Sequence, residues 1–236
     1  MNEVLVIIPA YNEEANIGRV AEGLLRDHPE LDFVVVNDGS ADRTAEICRE
    51  NGYCLLDLPV NLGLAGAFQA GMKYADRKGY RFAVQFDGDG QHRAEYIGPM
   101  REKMEEGYNI VIASRFVTEK KPHSMRMLGS RIIAAAIRLS SGASIADPTS
   151  GMRMYDRRMI HLFANQINYP PEPDTVSWLV KNGAKVAEVQ AVMDERTGGV
   201  SYLTPMNAVR YMTRTLISIL FIQSFRVKEK LKGASS

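Results

Sequence analysis

Residues 82–92, FAVQFDGDGQH, set a short apolar run directly against two aspartates one residue apart. Phe82, Ala83, Val84 and Phe86 suit a strand buried on both faces, as strands of parallel sheets are. In an open α/β sheet, ligands collect beyond the carboxyl ends of the strands. Asp87 and Asp89 would stand at such an end. Two carboxylates make a hard oxygen site, which suits Mg2+ or Mn2+. Such an ion takes one or two carboxylates and leaves its other positions to water and substrate phosphates. Gly88 and Gly90 clear side chains from the approach. Asp-Gly is also a common turn pair, so the rest of the chain has to decide.

The preceding chain alternates strand and helix. Residues 4–8 are a continuous aliphatic run, ended by Pro9-Ala10-Tyr11-Asn12-Glu13-Glu14. A helix is predicted next, with Ile17, Val20, Ala21, Leu24 and Leu25 on one face. Residues 33–36 predict a second strand, ended by Asn37-Asp38-Gly39-Ser40, with Ser40 as N-cap of a helix over 41–51. Residues 54–58 predict a third, shorter strand. Residues 62–75 predict a helix rich in small residues, among them Gly63, Gly66 and Gly71. Glycine costs helix stability, so close approach to the sheet or to a ligand is expected there. This alternation means an α/β fold with a parallel sheet and right-handed crossovers. Glu13, Asp38, Asp87 and Asp89 then share one sheet edge and one pocket.

Further along, residues 95–106 predict a helix and 109–113 a strand, followed directly by Ser114-Arg115. Lys120, Lys121, His123, Arg126 and Arg131 form a basic stretch leading into an apolar helix over 132–139; the lysines read as a solvated loop. Residues 147–153, DPTSGMR, are polar and turn-rich. Residues 169–173, YPPEP, are a rigid loop before a helix over 174–182, with Asp174 as its cap. Residues 185–192 alternate apolar and polar, as an edge or antiparallel strand does. ERTGGVS (195–201) follows, then a helix over 204–232 with an apolar stretch at 216–222.

Composition bounds the function classes. The 236 residues, 45% hydrophobic, suffice for one domain with a sizeable core. A net charge of +1 gives no bulk signal for nucleic acid. Cys48 and Cys54 fit neither a metal motif nor a disulfide framework, so reduced thiols are expected. The first residues lack a signal-peptide pattern, and no apolar run reaches the roughly 18 residues that span a bilayer. A cytoplasmic location is the expectation.

Seven segments together carry a resemblance: IIPAYNEE (7–14), NDGSADRT (37–44), NLGLAGAFQAG (61–71), QFDGDGQH (85–92), ASR (113–115), DPTSGMR (147–153) and ERTGGVS (195–201). In this order the chain resembles the family-2 glycosyltransferases of the GT-A fold over roughly residues 2–202. DGDGQH and DPTSGMR are most similar to the branch of dolichol-phosphate mannose synthases and bacterial polyprenyl-phosphate sugar transferases. The resemblance implies a Rossmann-like, mostly parallel sheet flanked by helices. Residues 1–203 would be the GT-A domain and 204–236 a C-terminal helical appendage. It implies an inverting, metal-dependent transfer of a hexose from a UDP- or GDP-sugar to a polyprenyl phosphate for cell-envelope glycans. Asp89 would be the direct metal ligand, with Asp87 and Gln91 beside it. Pro9, Tyr11, Glu13 and Asp38, with Asp87 and Gly88, match nucleotide-binding positions. Arg115 and Arg131 resemble residues that receive the acceptor's phosphate, with Arg153 and Ser201 as further candidates. Arg196 resembles a residue of a loop over the donor phosphates, and Asp89, Arg115, Arg131 and Arg196 are the expected catalytic set.

A nucleoside diphosphate leaves with developing negative charge, which a carboxylate-held cation neutralises. A phosphate acceptor is already ionised and needs no strong base, whereas a hydroxyl acceptor on a growing polysaccharide would need one. Glu172 and Asp174 are the candidates for that alternative. His92 reads as structural. A nucleotidyltransferase would carry a basic Gly-rich loop after its first strand, where this chain is acidic. A phospho-receiver would leave ERTGGVS unexplained, and a non-catalytic nucleotide-sugar-binding module would yield no product. Arg210, Arg214, Arg226, Lys228, Lys230 and Lys232 flank the apolar stretch of the last helix. That pattern suits an interfacial helix on the inner face of a membrane, with a homodimer or a small membrane partner as the alternative.

Overall fold

The computed structural model describes residues 2–119, 121–122, 125–194 and 205–225. Seven strands form one sheet: β1 (Val4–Ala10), β2 (Asp32–Asn37), β3 (Leu55–Asp57), β4 (Phe82–Gln85), β5 (Ile110–Ser114), β6 (Arg153–Asp156) and β7 (Val186–Gln190), in the order β3-β2-β1-β4-β6-β5-β7. All pairings are parallel except those of β6, which runs antiparallel to both β4 and β5. The helices are α1 (Ile17–Asp27), α2 (Thr44–Glu50), α3 (Gly63–Lys78), α4 (Ile97–Glu105), α5 (Met125–Ser141), α6 (Arg157–Asn165), α7 (Pro173–Lys181) and α8 (Pro205–Leu220).

The aliphatic runs make the strands because both sheet faces are covered. Along β1, Leu5 and Ile7 face a core shared with α3, α5, α6 and α7, while Val4, Val6 and Ile8 face a core shared with α1 and α4. The small residues of α3 have the packing reason expected of them at Gly71. A Cβ there would lie 2.3 Å from Ile7 Cγ2, so the helix backbone rests directly on β1. From β1 the chain steps to β2 and β3 on one side, then crosses to β4 on the other. The crevice at that reversal, beyond the strands' carboxyl ends, is where open α/β sheets bind ligands.

Four local expectations change. The antiparallel strand is β6, in the interior of the sheet; β7 lies at the edge, the first of the two alternatives its pattern allowed, and pairs in parallel with β5 from Ile110↔Val186 to Ser114↔Gln190. The second helix starts at Thr44 rather than 41. The Asp42 carboxylate accepts from Thr44 N and Glu14 N, and Ser40 Oγ accepts from Asn12 N, so residues 40–43 are spent on the loop after β1. Glu172, not Asp174, stands at the N-cap of α7. Asp174 sits in the first turn, buried, and accepts from Ser218 Oγ of α8 at 2.6 Å. Among the described residues α8 ends at Leu220 and a 3-10 turn, Ile222–Ser224, follows.

α8 packs against α5 and α7. Ile219 is fully buried in the core, with Met212 and Leu216 packed beside it. Among the described residues no helix is long and apolar enough to cross a membrane.

Candidate active site

Three strand ends build the crevice. At the end of β1, Pro9 is half-buried and Tyr11 exposed, and Asn12 takes the left-handed conformation, φ 55°. Asparagine tolerates that region, and here its Oδ1 accepts from Ala41 N at 2.9 Å. Glu13 N donates to Thr44 Oγ1, and its carboxylate accepts from Asn16 Nδ2 at 2.8 Å. At the end of β2, Asp38 is buried. Its N donates to Ala10 O and its Oδ1 accepts from Leu62 N at 2.7 Å, which ties β2 to the start of α3.

The aspartate loop follows β4. Phe86 N donates to Ile7 O, carrying the pairing one residue past the strand. Asp87 N then donates to His92 Nδ1 at 3.0 Å. The ring proton is therefore on Nε2, which lies 3.5 Å from Asp87 Oδ2. His92 is buried, with its ring edge-to-face on Phe86, so it closes the loop from behind as the sequence suggests. Asp89 Oδ1 accepts from Gln91 N at 3.1 Å, an Asx turn. Gly88 lies against Pro9 and Glu13: a Cβ there would sit 3.4 Å from Pro9 O and 3.7 Å from Glu13 Cγ. Gly151 of DPTSGMR faces Asp87 from the other side. A Cβ there would fall 2.6 Å from Asp87 Oδ2, so only a bare backbone lets that carboxylate keep its place.

The arginines separate into distinct settings. Arg115, just past β5, gives Nε and Nη2 to the two oxygens of Asp147 at 2.7 and 2.9 Å. Asp147 is fully buried. Burial opposes its charge, but the hydrogen bonds and charge of Arg115 hold its carboxyl below the ordinary range. Glu188 of β7 accepts from Ala146 N and Asp147 N, and Ser150 Oγ donates to Ala113 O, so the DPTSGMR loop is held from three sides. Arg131, on α5, is exposed and gives Nη2 to Lys121 O. It lines an open cleft of about 460 Å³ with Phe116, Glu119, Lys121, Ala134, Ile145 and Ala146. Lys121 Nζ donates to Ser130 Oγ at 2.9 Å and lies over the Phe116 ring, and burial lowers its pKa. Arg153, expected beside the acceptor phosphate, is 2% exposed. It gives Nη1 to Pro171 O and Nη2 to Pro148 O. Arg196 and Ser201 lie outside the described residues.

Residues 5–163, well over half of the chain, match the sequence profile of glycosyl transferase family 2. The chain belongs to glycosyl transferase family 2.

Among the relatives of this glycosyltransferase, polyprenol monophosphomannose synthase of Mycolicibacterium smegmatis is 29% identical over 216 residues, 86% of this chain and 82% of that protein. Undecaprenyl-phosphate mannosyltransferase of Micrococcus luteus is 31% identical, covering 85% of this chain and 87% of that protein. In fold the enzyme is similar to glucosyl-3-phosphoglycerate synthase of Mycobacterium tuberculosis, crystallised with Mn2+, UDP-glucose and phosphoglyceric acid. The TM-score is 0.68 at 19% identity, over 97% of this chain and 82% of that one. The mostly parallel sheet with flanking helices is thus the GT-A architecture expected.

For this glycosyltransferase, the crevice brings Pro9, Glu13, Asp38 and the 87–91 loop to one edge, as expected from the strand ends. Among the described residues no group of three His, Cys, Asp or Glu side chains could hold a metal ion. Asp87 and Asp89 nevertheless fit a hard cation, because such an ion completes its shell with diphosphate oxygens and water. Two ion pairs were not foreseen from the sequence. Asp147 opens DPTSGMR and Arg115 closes ASR, but β6, the strand that sets the two side by side, is not legible in the sequence. The pair of Arg93 with Asp194, 101 residues apart, has no local signal.

Proposed function

We propose that this glycosyltransferase moves a hexose, with inversion, from a UDP- or GDP-sugar to a polyprenyl phosphate for cell-envelope glycan synthesis. The observation that carries the reading is the join between two half-sites. Gly151 touches Asp87, and Asp147, four residues earlier, holds Arg115 next to Phe116 at the apolar-lined cleft that carries Lys121, Arg131 and Glu119. A donor diphosphate would lie on the aspartate side and a phosphate with an apolar chain on the cleft side. The acceptors for which the M. smegmatis and M. luteus relatives are named support the choice of lipid phosphate.

Asp87, Asp89 and Gln91 would hold Mg2+ or Mn2+, which supplies neutralisation of the leaving diphosphate's charge. The manganese in the fold neighbour's complex supports that choice. Pro9, Tyr11, Glu13, Asp38 and Gly88 line the nucleoside side. Lys121 and Arg131 bind the acceptor phosphate. Arg115 adds its charge there, its plane set by Asp147. Arg153 braces the Pro148 and Pro171 carbonyls beneath the loop. Arg196 would serve the donor phosphates and Ser201 the acceptor phosphate. The acceptor is ionised when it binds, so these residues orient it and no side chain needs to take its proton.

Such an acceptor places the enzyme at the inner face of a membrane, with 1–203 as the catalytic domain and 204–236 as the lipid-facing element. Calorimetry with UDP and GDP, with and without Mn2+, tests the donor side. One nucleotide should bind with metal dependence, and Asp89→Ala should abolish that binding. Transfer to a short polyprenyl phosphate, and none to an oligosaccharide, is then expected. No nucleotide binding by the folded chain, or transfer to the oligosaccharide alone, overturns the reading.

A further inference from the structure

Asp194 fastens the loop that carries Asp87 and Asp89 from outside. Asp194 N donates to Gln91 O at 2.9 Å. Gln91 Nε2 donates back to the Asp194 carbonyl at 3.3 Å. Arg93 Nε reaches both carboxylate oxygens of Asp194 at 2.9 and 3.0 Å, and Nη2 makes a further bond to Oδ1. A planar guanidinium meeting a carboxylate in this way fixes orientation as well as distance. The two side chains are 41% and 45% exposed, so the pair by itself adds little to stability. What it can do is set geometry.

The consequence falls on Gln91. Its NH2 is committed to a carbonyl, and flipping the amide would oppose two oxygens. Oε1 is therefore the acceptor that remains for another partner. We propose that Arg93 and Asp194 are positioning residues for the divalent cation site, a clasp that holds the Gln91 amide so that Oε1 serves the cation bound by Asp87 and Asp89. The proposal rests on the metal reading given above. Groups that orient a metal ligand typically alter affinity by 10- to 100-fold when removed.

The experiment uses the full chain and Mn2+ alone, read by the paramagnetic resonance of free Mn2+, together with hydrogen exchange of the apo protein. Arg93→Ala should raise the Mn2+ Kd by roughly 10-fold or more and speed exchange at the Gln91 amide. The charge exchange Arg93→Asp with Asp194→Arg should recover most of the affinity. In a Gln91→Ala background, Arg93→Ala should have no further effect, since residues acting through one ligand are non-additive. Equal losses in both backgrounds, or unchanged Mn2+ affinity in Arg93→Ala, overturn the clasp while leaving the metal site intact. A wild-type chain that binds Mn2+ no better than Asp89→Ala overturns the metal reading, and the clasp with it.

Discussion

Asp147 shows what single residues contribute to the site. A buried carboxylate is tolerable only when paired and hydrogen-bonded. Arg115 supplies two side-chain bonds and its own N–H, and Thr149 Oγ1 donates to Oδ1 at 3.1 Å. Breaking such a pair leaves a partly buried guanidinium uncompensated, so Asp147→Ala should cost about 3 kcal/mol. The pH dependence has a definite sign. Burial pushes the carboxyl up, the Arg115 bonds pull it down, and the net direction is down. A carboxyl depressed on folding contributes stability above its unfolded pKa and loses it as pH falls through the folded value. Urea midpoints should therefore drop for the wild type below about pH 4, and Asp147→Asn should flatten that limb; an unchanged limb would refute the assignment. Residues at this scale were unequally legible. Asp87 and Asp89 stand out because a strand stops at them and glycines clear the space. The Arg115–Asp147 pair does not, because its two halves lie 32 residues apart and each alone reads as a surface charge.

At the scale of elements, α3 is a helix shaped by the strand beneath it. Alanine is the better helix former by about 1 kcal/mol, yet at Gly71 its Cβ would sit 2.3 Å from Ile7 Cγ2. Overpacking of this kind costs about 1–3 kcal/mol, so Gly71→Ala should destabilise the fold. A Cβ at Gly98 in α4 would meet nothing within 4 Å, so Gly98→Ala should be neutral or stabilising in the same denaturation assay. If both changes behave alike, propensity rather than contact governs α3. Most elements could be read from the sequence because aliphatic runs and helical spacing agree with the final burial. β6 could not. Its sequence is Arg-Met-Tyr-Asp, and Arg153 looks like a surface cation until the carbonyls of Pro148 and Pro171 are seen around it. Missing β6 also misplaces the antiparallel pairing, which falls at β6 and leaves β7 parallel to β5.

On the scale of the molecule, charge is unevenly placed. The chain is net +1, yet α5 and α8 carry Arg126, Arg131, Arg138, Arg210 and Arg214 and no acidic residue, so the rest is net acidic. The two helices are packed neighbours. Each also exposes large apolar side chains: Leu128, Ile132 and Leu139 on α5, Val209, Ile217 and Leu220 on α8. The α5 positions fall four and seven residues apart, one stripe of a helix, and Arg131 of the same helix lines the cleft assigned to the acceptor phosphate. Apolar side chains interspersed with arginines suit an anionic bilayer surface, where each basic residue adds about 1 kcal/mol. The protein should therefore sediment with vesicles of phosphatidylglycerol and phosphatidylcholine, and less so as salt rises. Leu139→Glu combined with Ile217→Glu should release it without shifting the melting temperature, because both side chains are already exposed. Binding that survives these changes would place the lipid contact elsewhere, and a salt-insensitive dimer lost in the same variant would make this face a contact between two copies of the chain.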